Sequence, residues 1–156
     1  MEKIELDKDG IKEFQQNRYP YLLIDYANEI IPGKSAMGYK DLTMDDWWVK
    51  VHFPGDPNMP GALQMEAIVQ LGALMVTTLP GNKGKIVYLT SANNLKFKKK
   101  VVPGDRLILK TKLLSWKRGV GSASGCALIQ GNLVCSVEFI IVMPHILSEF
   151  KLKGIE

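Results

Sequence analysis

Residues 51–70 read VHFPGDPNMPGALQMEAIVQ and bring together three groups that could move a proton beside a carbonyl. His52 opens a stretch containing Pro54, Pro57 and Pro60, and prolines narrow the course a loop can take. An imidazole is the natural base near neutral pH. Gly61 stands where a helix should begin. Backbone N–H groups there are free donors, and a missing side chain lets a substrate oxygen come close, which makes an oxyanion site. Glu66 is the one charged residue between positions 61 and 78. A lone carboxylate among apolar side chains is costly to ionise, so it must be paired, protonated or set at a cavity. Gln70, four residues on, shares its helix face. Taken singly, Glu66 and Gln70 read as a hydrogen-bonded structural pair, and His52 as a surface or satisfied core histidine. Taken together, a base, an acid and an oxyanion donor at one helix start suit proton abstraction next to a carbonyl.

Other chemistries lack their parts. The chain has two histidines, His52 and His145, and no ligand triad at metal-binding spacing. It has no nucleophile elbow and no glycine-rich phosphate loop. Cys126 and Cys135 have neither metal-ligand nor dense disulfide spacing and fall in apolar, strand-like stretches, so they read as reduced, buried thiols of a cytoplasmic protein.

The positioning elements follow from pattern. The length of 156 residues suits one domain over 1–156. No apolar run reaches membrane-span length, and the charged start MEKIELDKDG lacks a secretory h-region. DKDGIKEFQQ suits a short helix capped by Asp9 or Asp7, and Pro20 stops it. Leu22 to Asp25 reads as extended, and a Pro-Gly turn at 32–33 precedes a strand over Ser35 to Leu42. From Ala62 the run ALQMEAIVQLGALMVTTL is free of proline and apolar on nearly every side, so it predicts a buried central helix, with Pro60 in its first turn and LPGNKGK after its end. Strands are expected over 85–90, 93–99 and 106–116. In the last, Leu107, Leu109, Thr111 and Leu113 face one way and Lys110 and Lys112 the other. Gly131-Asn132 marks a hairpin. The class is α+β, an antiparallel sheet wrapped on one helix.

The net charge is +4. Lys96, Lys98, Lys99 and Lys100 form a block with Arg106, Lys110 and Lys112 nearby. It reads as a solvated strand face or as a docking patch for an acidic partner. No aromatic-plus-basic motif points to nucleic acid.

HFPGDPNMPGALQMEAIVQ resembles the signature of the β-hydroxyacyl-[acyl carrier protein] dehydratases of type II fatty-acid synthesis, the FabZ type. RYPYLLID, IPGKSAMGYKDLT, LKFKKKVVPGDRLIL and GNLVCSVEF extend the likeness over nearly the whole chain. The resemblance implies a hot-dog fold and a homodimer that can assemble further as a trimer of dimers. It implies a site shared between subunits, with His52 from one and Glu66 from the other, the Gly61 N–H on the thioester carbonyl and Gln70 in support. It implies no cofactor and no metal, and a phosphopantetheine-bearing acyl carrier protein docked at Lys96, Lys98, Lys99 and Lys100. Ala62, Leu63, Ile68, Val69, Leu95 and Phe97 are expected along the acyl tunnel. The chain departs from the family at Val51, where glycine is usual, at Trp47-Trp48-Val49 in place of two phenylalanines, and at Asn17, where histidine is common. Two roles stay open for Glu66: giving a proton to the leaving hydroxyl, or orienting water while His52 shuttles the proton. A hot-dog thioesterase and a non-catalytic acyl-binding subunit are the rival readings.

Overall fold

The computed structural model describes residues 2–151. Its core is a seven-stranded antiparallel sheet in the order β1-β2-β3-β5-β6-β7-β4. The strands are β1 (Ile4–Leu6), β2 (Tyr26–Ile31), β3 (Ser35–Asp41), β4 (Tyr88–Phe97), β5 (Arg106–Lys117), β6 (Val120–Ile129) and β7 (Asn132–Val142). Helix α1 (Lys8–Phe14) follows β1, α2 (Gly61–Thr77) lies on the sheet, and α3 (Pro144–Lys151) follows β7. This is a hot-dog fold, with α2 as the inner rod.

The apolar sequence of α2 explains its place. Ala67, Ile68, Leu71, Leu74, Met75 and Val76 are all fully buried, so the helix has no solvent face along most of its length. Pro60 sits at the N-cap rather than in the first turn, and its carbonyl accepts from the Leu63 and Gln64 N–H groups. The helix stops at Thr77, before Pro80 is reached. Among the described residues no helix is long and apolar enough to cross a membrane.

Sheet and helix meet most tightly at Gly125, which pairs with Thr111 and Val137 in mid-sheet. A Cβ added there would overlap Ile68 Cγ2 and lie 3.1 Å from the Lys110 carbonyl oxygen. Gly125→Ala should therefore cost about 2–3 kcal/mol by overpacking. A lowered urea midpoint at unchanged slope is the expected readout, and the loss should be smaller when measured in an Ile68→Ala background, which lacks Cγ2.

The hairpins turn one residue earlier than Gly131-Asn132 suggests. Gln130 and Gly131 take positive φ values of 49° and 79° between the paired Ile129 and Asn132, a two-residue turn whose twist matches the strands. Arg118 and Gly119 repeat this geometry between β5 and β6. The alternation of β5 holds: Leu107, Leu109 and Thr111 are buried while Lys110 and Lys112 are exposed. The stretches 85–90 and 93–99 are not two strands. They join in one bulged strand, β4, in which Asn94 takes φ 50°. β4 forms one edge of the sheet.

Candidate active site

His52 is carried by a loop whose own backbone holds it. The His52 and Val51 N–H groups donate to the Trp48 carbonyl at 2.9 and 3.1 Å, and Trp48 is only 1% exposed. The second tryptophan of the Trp47-Trp48 pair is thus the anchor of the histidine loop, while Val51 points outward and is exposed. Phe53 and Asp56 exchange backbone hydrogen bonds, the Asn58 N–H donates to the His52 carbonyl, and the Met59 N–H donates to the Val101 carbonyl. The His52–Phe53 peptide is cis, and the two rings stack with centroids 4.1 Å apart.

The ring is oriented by one contact. His52 Nδ1 lies 2.9 Å from the Asn58 carbonyl oxygen. A carbonyl oxygen only accepts, so Nδ1 carries a hydrogen, and in the neutral ring Nε2 holds the lone pair. The imidazole is therefore set as a base at Nε2. No side-chain pattern could have announced this contact, because its partner is a backbone oxygen.

Glu66 stands half-buried on α2 and lines a cavity of about 320 Å³. Val69, Gln70, Ala73 and Thr77 continue the same helix stripe along it, and residues 15–17 and 85–89 form its other walls. Burial pushes the Glu66 carboxyl above its ordinary value, and the Gln70 hydrogen bond opposes this without cancelling it. Relative to an exposed glutamate, the balance moves toward the neutral acid. Gln70 is 2% exposed and fully committed: its Nε2 donates to Glu66 Oε1 at 3.1 Å and to the Tyr21 carbonyl at 2.8 Å, and its Oε1 accepts from the Leu23 N–H at 2.9 Å. One amide thus ties Glu66 to the segment after Pro20. Gln70→Leu should strand the Leu23 N–H and the Tyr21 carbonyl, lowering stability by about 3 kcal/mol in denaturant titration. Losing the one contact that lowers the Glu66 carboxyl should also move its titration upward.

Gly61 opens α2 beneath the Phe97 ring. A Cβ there would lie 2.5 Å from Phe97 Cζ, so the position excludes larger residues unless that ring moves. Nothing among the described residues accepts from the Gly61 N–H. The tunnel candidates separate. Val69 lines the Glu66 cavity. Ile68 does not: it is fully buried against Gly125 on the sheet side of the helix. Leu63 belongs to the core, while Leu95 and Phe97 are exposed on the β4 edge, as is Ala62 at the helix start. A helix apolar on all sides gives no sequence signal for which face meets a cavity. Asn17, Gln15, Ala73 and Thr77 also line it, and of these only Asn17 stood out in the sequence.

Neither His52 nor Gly61 lies on the wall of the Glu66 cavity in one chain. The basic block borders the histidine loop. Lys100 ion-pairs with Asp56 of that loop, and Lys96, Lys98 and Lys99 are exposed beside it in sequence. Burial raises both thiols above their ordinary value, that of Cys135 to about 11.

A hot-dog sheet with this loop-and-helix site defines a FabA-like protein, and the family model described as a FabA-like domain matches residues 16–138. Solved structures agree on the fold. The dehydratase heterocomplex ApeI:P from Xenorhabdus doucetiae superposes with a TM-score of 0.76 at 13% identity, covering 93% of this chain and 97% of that one. Within that class the chain belongs to the 3-hydroxyacyl-[acyl-carrier-protein] dehydratase FabZ family. It is 42% identical to the protein of that name from Clostridium novyi, across 85% of this chain and 96% of the relative. It is 39% identical to the one from Bacillus subtilis, across 85% and 94%.

Proposed function

We propose that this chain removes water from a (3R)-3-hydroxyacyl thioester on acyl carrier protein, giving the trans-2-enoyl thioester, at a site built by two copies of the chain. The observation that carries the reading is the His52 Nδ1 contact with the Asn58 carbonyl, found in a member of the FabZ family. It leaves Nε2 free to take the C2 proton. The Gly61 N–H stabilises the enolate that develops on the thioester oxygen. Glu66, held neutral by its partly buried setting, gives its proton to the C3 hydroxyl as the C–O bond breaks. The C2–H electron pair becomes the C2–C3 double bond. The proton on His52 then returns to Glu66, and the site is restored without metal or organic cofactor.

Two features favour a shared site. Neither His52 nor Gly61 lines the cavity of Glu66 in one chain, so one copy does not supply base and acid to that cavity. The β4 edge is ten residues long and leaves Tyr88, Leu95 and Phe97 exposed, a surface that natural sheets cover. A second copy pairing along β4 would cover it and bring its own histidine loop to the Glu66 cavity. Lys96, Lys98, Lys99 and Lys100, next to the histidine loop, are the surface for the acidic carrier, in the cytoplasm.

Hydration of a crotonyl thioester, followed by ultraviolet absorbance, tests the reaction in reverse. Loss of the enoyl signal without release of free thiol is expected. Thiol release would identify a thioesterase, and neither change would leave an acyl-binding subunit.

A further inference from the structure

One ion pair joins the histidine loop to the basic block. Lys100 Nζ pairs with the Asp56 carboxylate, and both side chains are half or more exposed. An exposed pair adds little to stability, and the backbone on either side is held without it. Phe53 and Asp56 exchange backbone hydrogen bonds, and Asn58 Nδ2 donates to the Asp56 carbonyl at 3.2 Å. Across the pair, the Lys98 N–H donates to the Val134 carbonyl at 2.8 Å, and the carbonyl of the fully buried Val101 accepts from the Met59 N–H. The stretch from Lys98 to Val101 is thus fixed at both ends, with Lys98, Lys99 and Lys100 exposed. Among the described residues, Lys96, Lys98 and Lys99 form no ion pair. Asp56 is the one acidic residue within 50–65 and 94–104. It sets a single carboxylate against the basic surface, on the turn that also carries His52.

We propose that Asp56 competes with an acidic carrier protein for Lys100, and so sets how tightly the basic block holds that carrier. The inference rests on the docking surface assigned above and names a residue that tunes it. An anionic group of the carrier that approaches Lys100 meets an ammonium already partnered, and the Asp56 charge repels it. Docking there exchanges one ion pair for another. Lys98 and Lys99 offer charges that no carboxylate shares, so they attract the carrier without this opposition. Asp56 touches no reacting atom. It acts on affinity for the carrier and leaves the proton transfers to His52 and Glu66.

Titration calorimetry with holo acyl carrier protein, its phosphopantetheine thiol free, tests this at low salt. Asp56→Asn should lower Kd by about two- to fivefold, the scale of one exposed ion pair. Asp56→Glu, which keeps the charge, should bind as the wild type does. The gain of the asparagine variant should vanish at about 0.5 M salt, where exposed charges are screened. A purely structural role for Asp56 would give neither the gain nor its salt dependence. Binding by Asp56→Asn that is unchanged or weaker overturns the inference, as does a gain that Asp56→Glu shares or that survives high salt. Lys99→Gln separates the failures. If it weakens binding while Asp56→Asn leaves Kd unchanged, only the inference falls; if it too leaves Kd unchanged, the docking surface falls with it.

Discussion

Replacing His52 with alanine should lower kcat/KM for the acyl thioester by about 10³-fold, the scale of a lost general base. The fold should survive, because the ring makes one side-chain hydrogen bond, to Asn58, and stands half-exposed on its loop. The loop course depends on backbone contacts to Trp48, Asp56 and Val101, which alanine leaves in place. KM should change little while kcat falls, since the imidazole acts on a proton in flight rather than on the bound ground state. A thermal midpoint near that of the wild type, measured beside the rate, would separate lost chemistry from lost structure. A small loss of rate with an intact fold would return His52 to the role of an ordinary surface histidine.

Glu66→Gln should cost about 10²–10³-fold in the dehydration direction, because the glutamine keeps the shape and loses the transferable proton. Its pH behaviour is more telling. Burial raises the carboxyl above 4.5, so the acid persists to higher pH than an exposed glutamate would allow. Dehydration by the wild type should fall as pH climbs through that elevated value, and the variant should lack this limb. Stability must follow the same titration. The folded form binds the Glu66 proton more tightly than the unfolded chain, so that contribution is complete below the unfolded value and is lost as pH rises through the folded one. The glutamine variant loses nothing over that window. Its thermal midpoint should match the wild type in acid and exceed it at higher pH. A gap that shrinks with rising pH would show that the carboxyl is not held neutral.

Much of the fold was legible because its largest element is chemically uniform. A proline-free apolar run after Pro60 leaves little choice but a buried helix, and Leu107, Leu109 and Thr111 fix the face of β5. The three-residue β1 is too short to show a period. β2 carries Ala27, Asn28 and Glu29 at its centre, which are weak strand formers, and pairing with β3 overrides them. α3 was likewise missed; its eight residues are too few to set a helical pattern apart. β4 read as two pieces because Ser91, Ala92, Asn93 and Asn94 interrupt its apolar pattern, yet β7 pairs with both halves. In the site, His52, Glu66, Gln70 and Gly61 stood out by type and spacing. The Asn58 carbonyl that orients the imidazole, and the difference between Val69 at the cavity and Ile68 at the sheet, depend on backbone course and helix rotation. Residue identity carries neither.

The two-copy site admits one direct test: His52→Ala and Glu66→Gln chains, each inactive alone, are coexpressed and the mixed dimers assayed. If base and acid come from different chains, every mixed dimer holds one doubly defective and one intact site. Random pairing should then restore about a quarter of the wild-type activity per site. If both groups act within one chain, every site stays defective, and mixed dimers that form yet remain inactive would contradict the account.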